Sequence, residues 1–164
     1  MKQDGFSLIE LLVVCAIIAT LLTISSLEFH SWLVRYNIEK LVEELYGQIV
    51  TTRFQAMARN KTYFVTLAAN QYTVVDDIDG SGAPSGGDTT ISTSQVLKYP
   101  LSWSGATPYL QFNQRGTADV WSTICVSSQV QPAFDCIVVS SSRVAKGKII
   151  NQGGACASTN CSIK

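Results

Sequence analysis

Gly5-Phe6-Ser7-Leu8-Ile9-Glu10-Leu11-Leu12-Val13-Val14 is the stretch on which the fold turns. It opens an apolar run over residues 6–24 that only Ser7, Glu10, Thr20 and Thr23 interrupt. Nineteen residues of helix extend about 28 Å, close to the roughly 30 Å hydrocarbon core of a bilayer. The run is therefore long enough to span a membrane. A secretory signal peptide is the plain alternative. Such peptides usually carry a longer charged leader and a small-x-small cleavage site after the apolar run. Here the leader is only Met1-Lys2-Gln3-Asp4-Gly5, and Thr23-Ile24-Ser25-Ser26-Leu27 matches a cleavage site loosely. A helical pattern also continues past residue 27 without a break. Glu10 is the odd residue in the run. An unpaired carboxylate costs about 2.5–3.5 kcal/mol at a bilayer centre and less near the interface. It calls for a partner, and the free N-terminal amine of a neighbouring copy would serve.

This decapeptide closely resembles the class III signal of type IV pilins and type II secretion pseudopilins. The match combines a short leader, a glycine, a phenylalanine and a carboxylate four residues on. The resemblance implies that a prepilin peptidase cuts between Gly5 and Phe6 and methylates the new N-terminal Phe6. It also implies that Glu10 pairs with a subunit N-terminus during filament assembly. The chain departs from many family members at Ala19 and Leu27, where they carry glycine and proline. Those residues help the family's helix loosen inside the filament, so that loosening is not carried over to this chain.

Residues 28–60 continue the helical pattern. Phe29, Leu33, Tyr36, Leu41, Leu45, Ile49 and Ala56 recur mostly at three- and four-residue steps, a stripe expected to pack on a sheet. Glu39, Lys40, Glu43, Glu44 and Arg53 fall mostly off it, as on a solvated face. Gly47 is tolerated at about 1 kcal/mol relative to alanine. Asn60-Lys61 ends the helix. Strand signals follow at 62–68 and 71–75 around an Ala69-Asn70 turn, then at 95–99, 109–112, 123–127, 136–140 and 144–150. The fold class expected is α+β, a long helix packed on an antiparallel β-sheet head. Phe112 and Gly116 resemble the F-x-x-x-G element of minor pilins and pseudopilins of the FimT, FimU and GspH kind. The long loop around residues 76–94 matches that group too.

The loop contains Asp76-Asp77-Ile78-Asp79-Gly80-Ser81-Gly82. With Asp77 as first ligand, Asp79, Ser81 and Asp88 fall at positions three, five and twelve, and Gly82 at six. That spacing resembles a calcium-binding EF-hand loop. Against it, position twelve is not glutamate, Pro84 interrupts, and no helices flank the loop. The other reading is a flexible connection rich in Asp, Gly and Ser, with no cofactor at all.

Five cysteines occur. Cys15 reads as a small apolar residue of the span. Cys125, Cys136, Cys156 and Cys161 allow three disulfide pairings. Cys125–Cys136 would staple adjacent strands, and Cys156–Cys161 would close a small terminal loop. Zinc competes weakly, because no C-x-x-C pair is present. Disulfides imply an oxidising compartment, and Lys2 favours a cytoplasmic leader. After Asp135 the chain has no acidic residue, while Arg143, Lys146, Lys148 and Lys164 are basic. Some FimT-like minor pilins carry a C-terminal G-R-x-R element associated with DNA uptake. Ser142-Arg143-Val144-Ala145 keeps its first arginine, so Arg143, Lys146 and Lys148 are candidate DNA contacts. A lysine-protected strand edge is the competing reading.

Composition agrees with an assembly subunit. Twelve basic residues balance twelve acidic ones, which removes any global pull toward nucleic acid or anionic lipid. A single histidine, His30, offers little to histidine-based catalysis. The resulting expectation is a non-catalytic minor pilin or pseudopilin of a type IV pilus or type II secretion filament that helps initiate or cap assembly. Its parts would be a leader (1–5), a transmembrane assembly helix (6–27) and a periplasmic helix continuation with a β-rich head (28–164). The resemblance implies a single-pass location in a bacterial inner membrane. Its partners would be other pilin subunits, prepilin peptidase and the inner-membrane assembly platform. The alternative is a DNA-uptake or adhesive pilin acting through the basic head.

Overall fold

The protein is described by a computed structural model over residues 7–163. Gly5 and Phe6, the expected processing pair, lie outside the described residues. The chain begins with one uninterrupted helix, α1 (Leu8–Arg59), of 52 residues and about 78 Å. No break separates its first half from its second. It ends at Asn60, which turns left-handed (φ 51°, ψ 44°), a conformation asparagine tolerates. The Lys61 N–H then donates to the Ala56 carbonyl at 3.2 Å and closes the last turn.

Ten strands follow in two antiparallel five-stranded sheets. The first sheet has the order β3-β2-β1-β5-β6. It is built from β1 (Tyr63–Ala68), β2 (Gln71–Asp76), β3 (Thr89–Thr93), β5 (Tyr109–Phe112) and β6 (Ala118–Val120). The second has the order β10-β9-β8-β7-β4. It comprises β4 (Leu101–Trp103), β7 (Thr123–Val126), β8 (Cys136–Val139), β9 (Val144–Ile149) and β10 (Cys161–Ile163). One core joins helix and both sheets. Ile38, Leu41, Val42, Leu45, Ile49 and Ala56 of α1 meet Tyr63, Val65, Leu110 and Phe112 from the first sheet. They also meet Leu101, Ile124, Val126, Ile137 and Val139 from the second.

The expected strand at 95–99 does not form. Val96 is 80% exposed, and the segment crosses from β3 in one sheet to β4 in the other. A chain leaving one ladder for another cannot stay paired in either. The Leu97 N–H instead donates to the Asn70 carbonyl (2.8 Å) and the Leu101 N–H to Ala69 (2.7 Å). The loop at 76–94 is shorter than expected, because Thr89–Thr93 pairs with β2. The apolar stripe is also corrected. It is buried from Ile38 onward, whereas Phe29, Leu33 and Tyr36 lie exposed, since Phe29 and Tyr36 fall on the face opposite Leu45 and Ile49.

Candidate functional site

Every described residue from Ser7 to Thr23 is exposed, so no part of the chain's own head covers this apolar half of α1. It is long and apolar enough to cross a membrane. Glu10 sits in the first helical turn, where the positive end of the helix dipole favours a carboxylate. It forms no salt bridge with any described residue. Among the described residues the span therefore presents one carboxylate without an ion-pair partner in a largely apolar surface.

The second half of α1 is held by the head at several separate points. Glu39 accepts the Ala133 N–H at 2.6 Å. Arg53 donates to the Ser142 carbonyl at 2.8 Å. Arg59 donates to the Tyr63 hydroxyl at 3.3 Å, which in turn donates to buried Asp76 at 3.4 Å. Glu39, Glu43 and Arg53, read from spacing as a solvated face, thus tie helix to head. Spacing misses this because all three flank the buried stripe rather than oppose it.

Gly116 of the F-x-x-x-G element sits in the β5–β6 turn with φ +71°. A β-carbon there would lie 2.5 Å from the Met57 sulfur, near the end of α1. Phe112 is fully buried in the common core. The element therefore docks a hairpin onto the helix. It needs a large apolar anchor and, four residues on, a residue without a side chain.

The disulfides differ from the two pairs singled out from sequence. The bonds are Cys125–Cys156 and Cys136–Cys161. Cys125 and Cys136 do face each other across β7 and β8, as expected. Both side chains, however, point away from α1 toward the C-terminal segment, where Cys125, Cys136, Ile149 and Cys161 form a separate small core. Each is bonded to the tail instead of to the other. The tail packs so closely that a β-carbon on Gly147 would lie 2.5 Å from the Ser162 carbonyl oxygen. Alternation along β9 then puts Lys146 and Lys148 on the helix side and Ala145 and Ile149 on the tail side.

The candidate DNA contacts differ in how freely they meet solvent. Lys146 pairs with Glu43 and stands over the rings of Tyr46 and Phe134 at 5.1 and 5.0 Å. Lys148 is half-buried, and only Arg143 is freely exposed. The acidic loop does gather its charges: carboxylate oxygens of Asp77, Asp79 and Asp88 lie within 4.8 Å of one another. Ser81 is not aimed at them, since its hydroxyl donates to the Ala83 carbonyl at 2.8 Å. Asp79 accepts from the Ser85 hydroxyl (2.5 Å) and the Ser81 N–H (2.8 Å). Those bonds hold its carboxyl down at about 2. Asp88 accepts the Ser85 N–H at 2.7 Å.

The prokaryotic N-terminal methylation motif matches residues 1–26. The family described as type II transport protein GspH matches residues 41–143. No curated protein matches the chain in sequence. Among solved structures, the type IV minor pilin FimU of Pseudomonas aeruginosa shares the fold at 12% identity and a TM-score of 0.54. That similarity covers 72% of this chain and 98% of FimU. The chain belongs to the GspH family and is a minor pilin or pseudopilin, a subunit of the type IV pilus and type II secretion class of filaments.

Proposed function

We propose that the chain is cut between Gly5 and Phe6, spans the inner membrane over residues 6–27 and carries residues 28–164 on the periplasmic side. From there it joins a filament, or the complex that primes one, as a subunit without catalytic activity. Glu10 pairs with the Phe6 amine of a neighbouring subunit and so fixes the axial register. The observation that carries this reading is the exposure of every described residue from Ser7 to Thr23 around a carboxylate with no ion-pair partner among the described residues. Leaving that charge bare in lipid costs about 2.5–3.5 kcal/mol at the bilayer centre, so a cationic partner favours assembly over isolation. Two disulfides in the head agree with an oxidising compartment. Other pilin subunits, prepilin peptidase and the inner-membrane assembly platform are the partners this requires.

The mass of the mature N-terminus tests the reading. A start at Phe6 bearing one methyl group is expected. A start near Ser26 would make the apolar run a removed signal and sink the proposal.

A further inference from the structure

Between the bare span and the head, α1 carries three aromatic rings that no described residue of the head covers. Phe29, Trp32 and Tyr36 are 60%, 55% and 52% exposed. Their rings stack in sequence, with centroids 6.0 Å and then 5.7 Å apart. At 3.6 residues per turn they fall on the helix face opposite Ile38, Leu45 and Ile49, which the head buries. An exposed row of large rings in water is costly, so the row has an occupant.

Position along the helix says which. Phe29 lies about 32 Å from Leu8 along the axis, Trp32 about 36 Å and Tyr36 about 42 Å. A hydrocarbon core of about 30 Å, widening to about 40–45 Å with its headgroups, puts Phe29 and Trp32 in the far headgroup layer. Tyr36 lies about 5 Å beyond it, with its side chain tilted back toward the helix N-terminus and so toward the layer. The chemistry fits that depth, because indole and phenol rings have an apolar body and a polar edge. Arg35 lines a shallow hollow with Glu28, Phe29 and Trp32, so a cation and an anion flank the rings. The row is also continuous with the span, and the head's cover begins only around Val34.

We propose that Phe29, Trp32 and Tyr36 form an interfacial clamp that seats α1 in the phospholipid headgroup layer on the head side of the membrane. The clamp rests on the membrane-spanning reading of residues 6–27. It sets the depth of Glu10 at the other end of the span before the subunit is drawn into a filament. At a common depth, Glu10 of one subunit lies about 6 Å along the axis from the Phe6 amine of the next, so a short axial step pairs them.

Depth-dependent quenching of tryptophan emission tests it. The full chain is reconstituted in phosphatidylcholine vesicles carrying bromine near the carbonyl end of the acyl chains or near the bilayer centre. Trp103 and Trp121 lie in the head and supply an unquenched background. Shallow bromines are expected to quench the remaining emission roughly twofold more than deep ones. Trp32→Phe is expected to abolish that quenching while leaving the head's emission unchanged. Quenching that Trp32→Phe does not alter overturns the clamp, as does stronger quenching by deep bromines. Trp32 emission that ignores bromine but changes as the chain is diluted in lipid overturns it in favour of a second copy. A chain that fails to float with the vesicles overturns the span as well. A chain that floats without Trp32 quenching overturns the clamp alone.

Discussion

Lys146 on β9 bridges to Glu43 on α1, and its ammonium lies between the rings of Tyr46 and Phe134. The lysine side chain is 24% exposed and the glutamate 61%, so the pair sits at the rim of the helix–head contact. A half-screened ion pair contributes about 0–1 kcal/mol, and a cation over an aromatic ring about 0.5–1 kcal/mol. Lys146→Met keeps the apolar stem and removes the charge. It is expected to lower head stability by about 1 kcal/mol in denaturant unfolding of the full chain in detergent. Lys148→Met should change it by less than about half that.

The same geometry bears on nucleic acid. Lys146 is held by Glu43, Lys148 is half-buried, and Arg143 alone of the three is exposed. Alanine at Arg143, Lys146 and Lys148 together should leave retention of DNA and its salt slope unchanged. A shallower slope in the triple variant would restore the DNA-binding reading.

Gly116 and Met57 form a second docking point. Gly116→Ala adds a β-carbon at positive φ and drives it into the Met57 sulfur. A loss of about 1–2 kcal/mol is expected, most of it backbone strain, because the exposed Met57 side chain can swing aside. Met57→Ala in the same chain should recover only the steric part, leaving about 1 kcal/mol of backbone strain. Thermal unfolding of the two single variants and the double variant separates the two contributions.

How far these contacts can be read from sequence depends on how local they are. The strand at Tyr109–Phe112 and the turn at Ala69-Asn70 are legible because β-branched and aromatic residues alternate beside short turn signals. Thr89–Thr93 and Ala118–Val120 are polar or very short, and only their neighbours' ladders make them strands. Steps of three and four residues link Phe29 and Tyr36 to Leu45 and Ile49, but summed along the helix they rotate the rings to the opposite face. That the head's cover begins near Val34 is set by tertiary packing that spacing does not show. The FimT-like hairpin signal at Phe112 and Gly116 is legible, but its partner Met57 lies more than fifty residues away. Disulfide pairing depends on where residues 150–160 run, and that irregular segment carries no periodic signal.

Peptide mapping without reduction should recover Cys125 linked to Cys156 and Cys136 linked to Cys161. The bonds close loops of 31 and 25 residues. Paired serine substitution at either bond is expected to cost about 3–4 kcal/mol. Recovery of a Cys125–Cys136 peptide would contradict the tail's path across the second sheet.

The acidic loop gives a pH prediction with a definite sign. Hydrogen bonds from Ser85 first, then Ser81, hold the Asp79 carboxyl near 2, below its ordinary value. A depressed carboxyl stabilises the loop above the unfolded value, and that contribution is lost as pH falls through about 2. Carboxyl NMR titration should place Asp79 there, and Ser85→Ala should raise it toward the ordinary range. Calorimetry with calcium chloride separates the self-bonded loop from an ion site. Without a cofactor, no saturable binding tighter than about millimolar is expected. Tighter binding that Asp77→Asn removes would install calcium.

The central claim is that the exposed span is an assembly surface organised by Glu10. Co-purification from membranes with a tagged head, compared between wild type and Glu10→Ala, tests it most directly. Other pilin-like subunits and an assembly ATPase are expected with the wild type, and fewer or none with Glu10→Ala. The same proteins in equal amounts with both forms, or none with either, would contradict it.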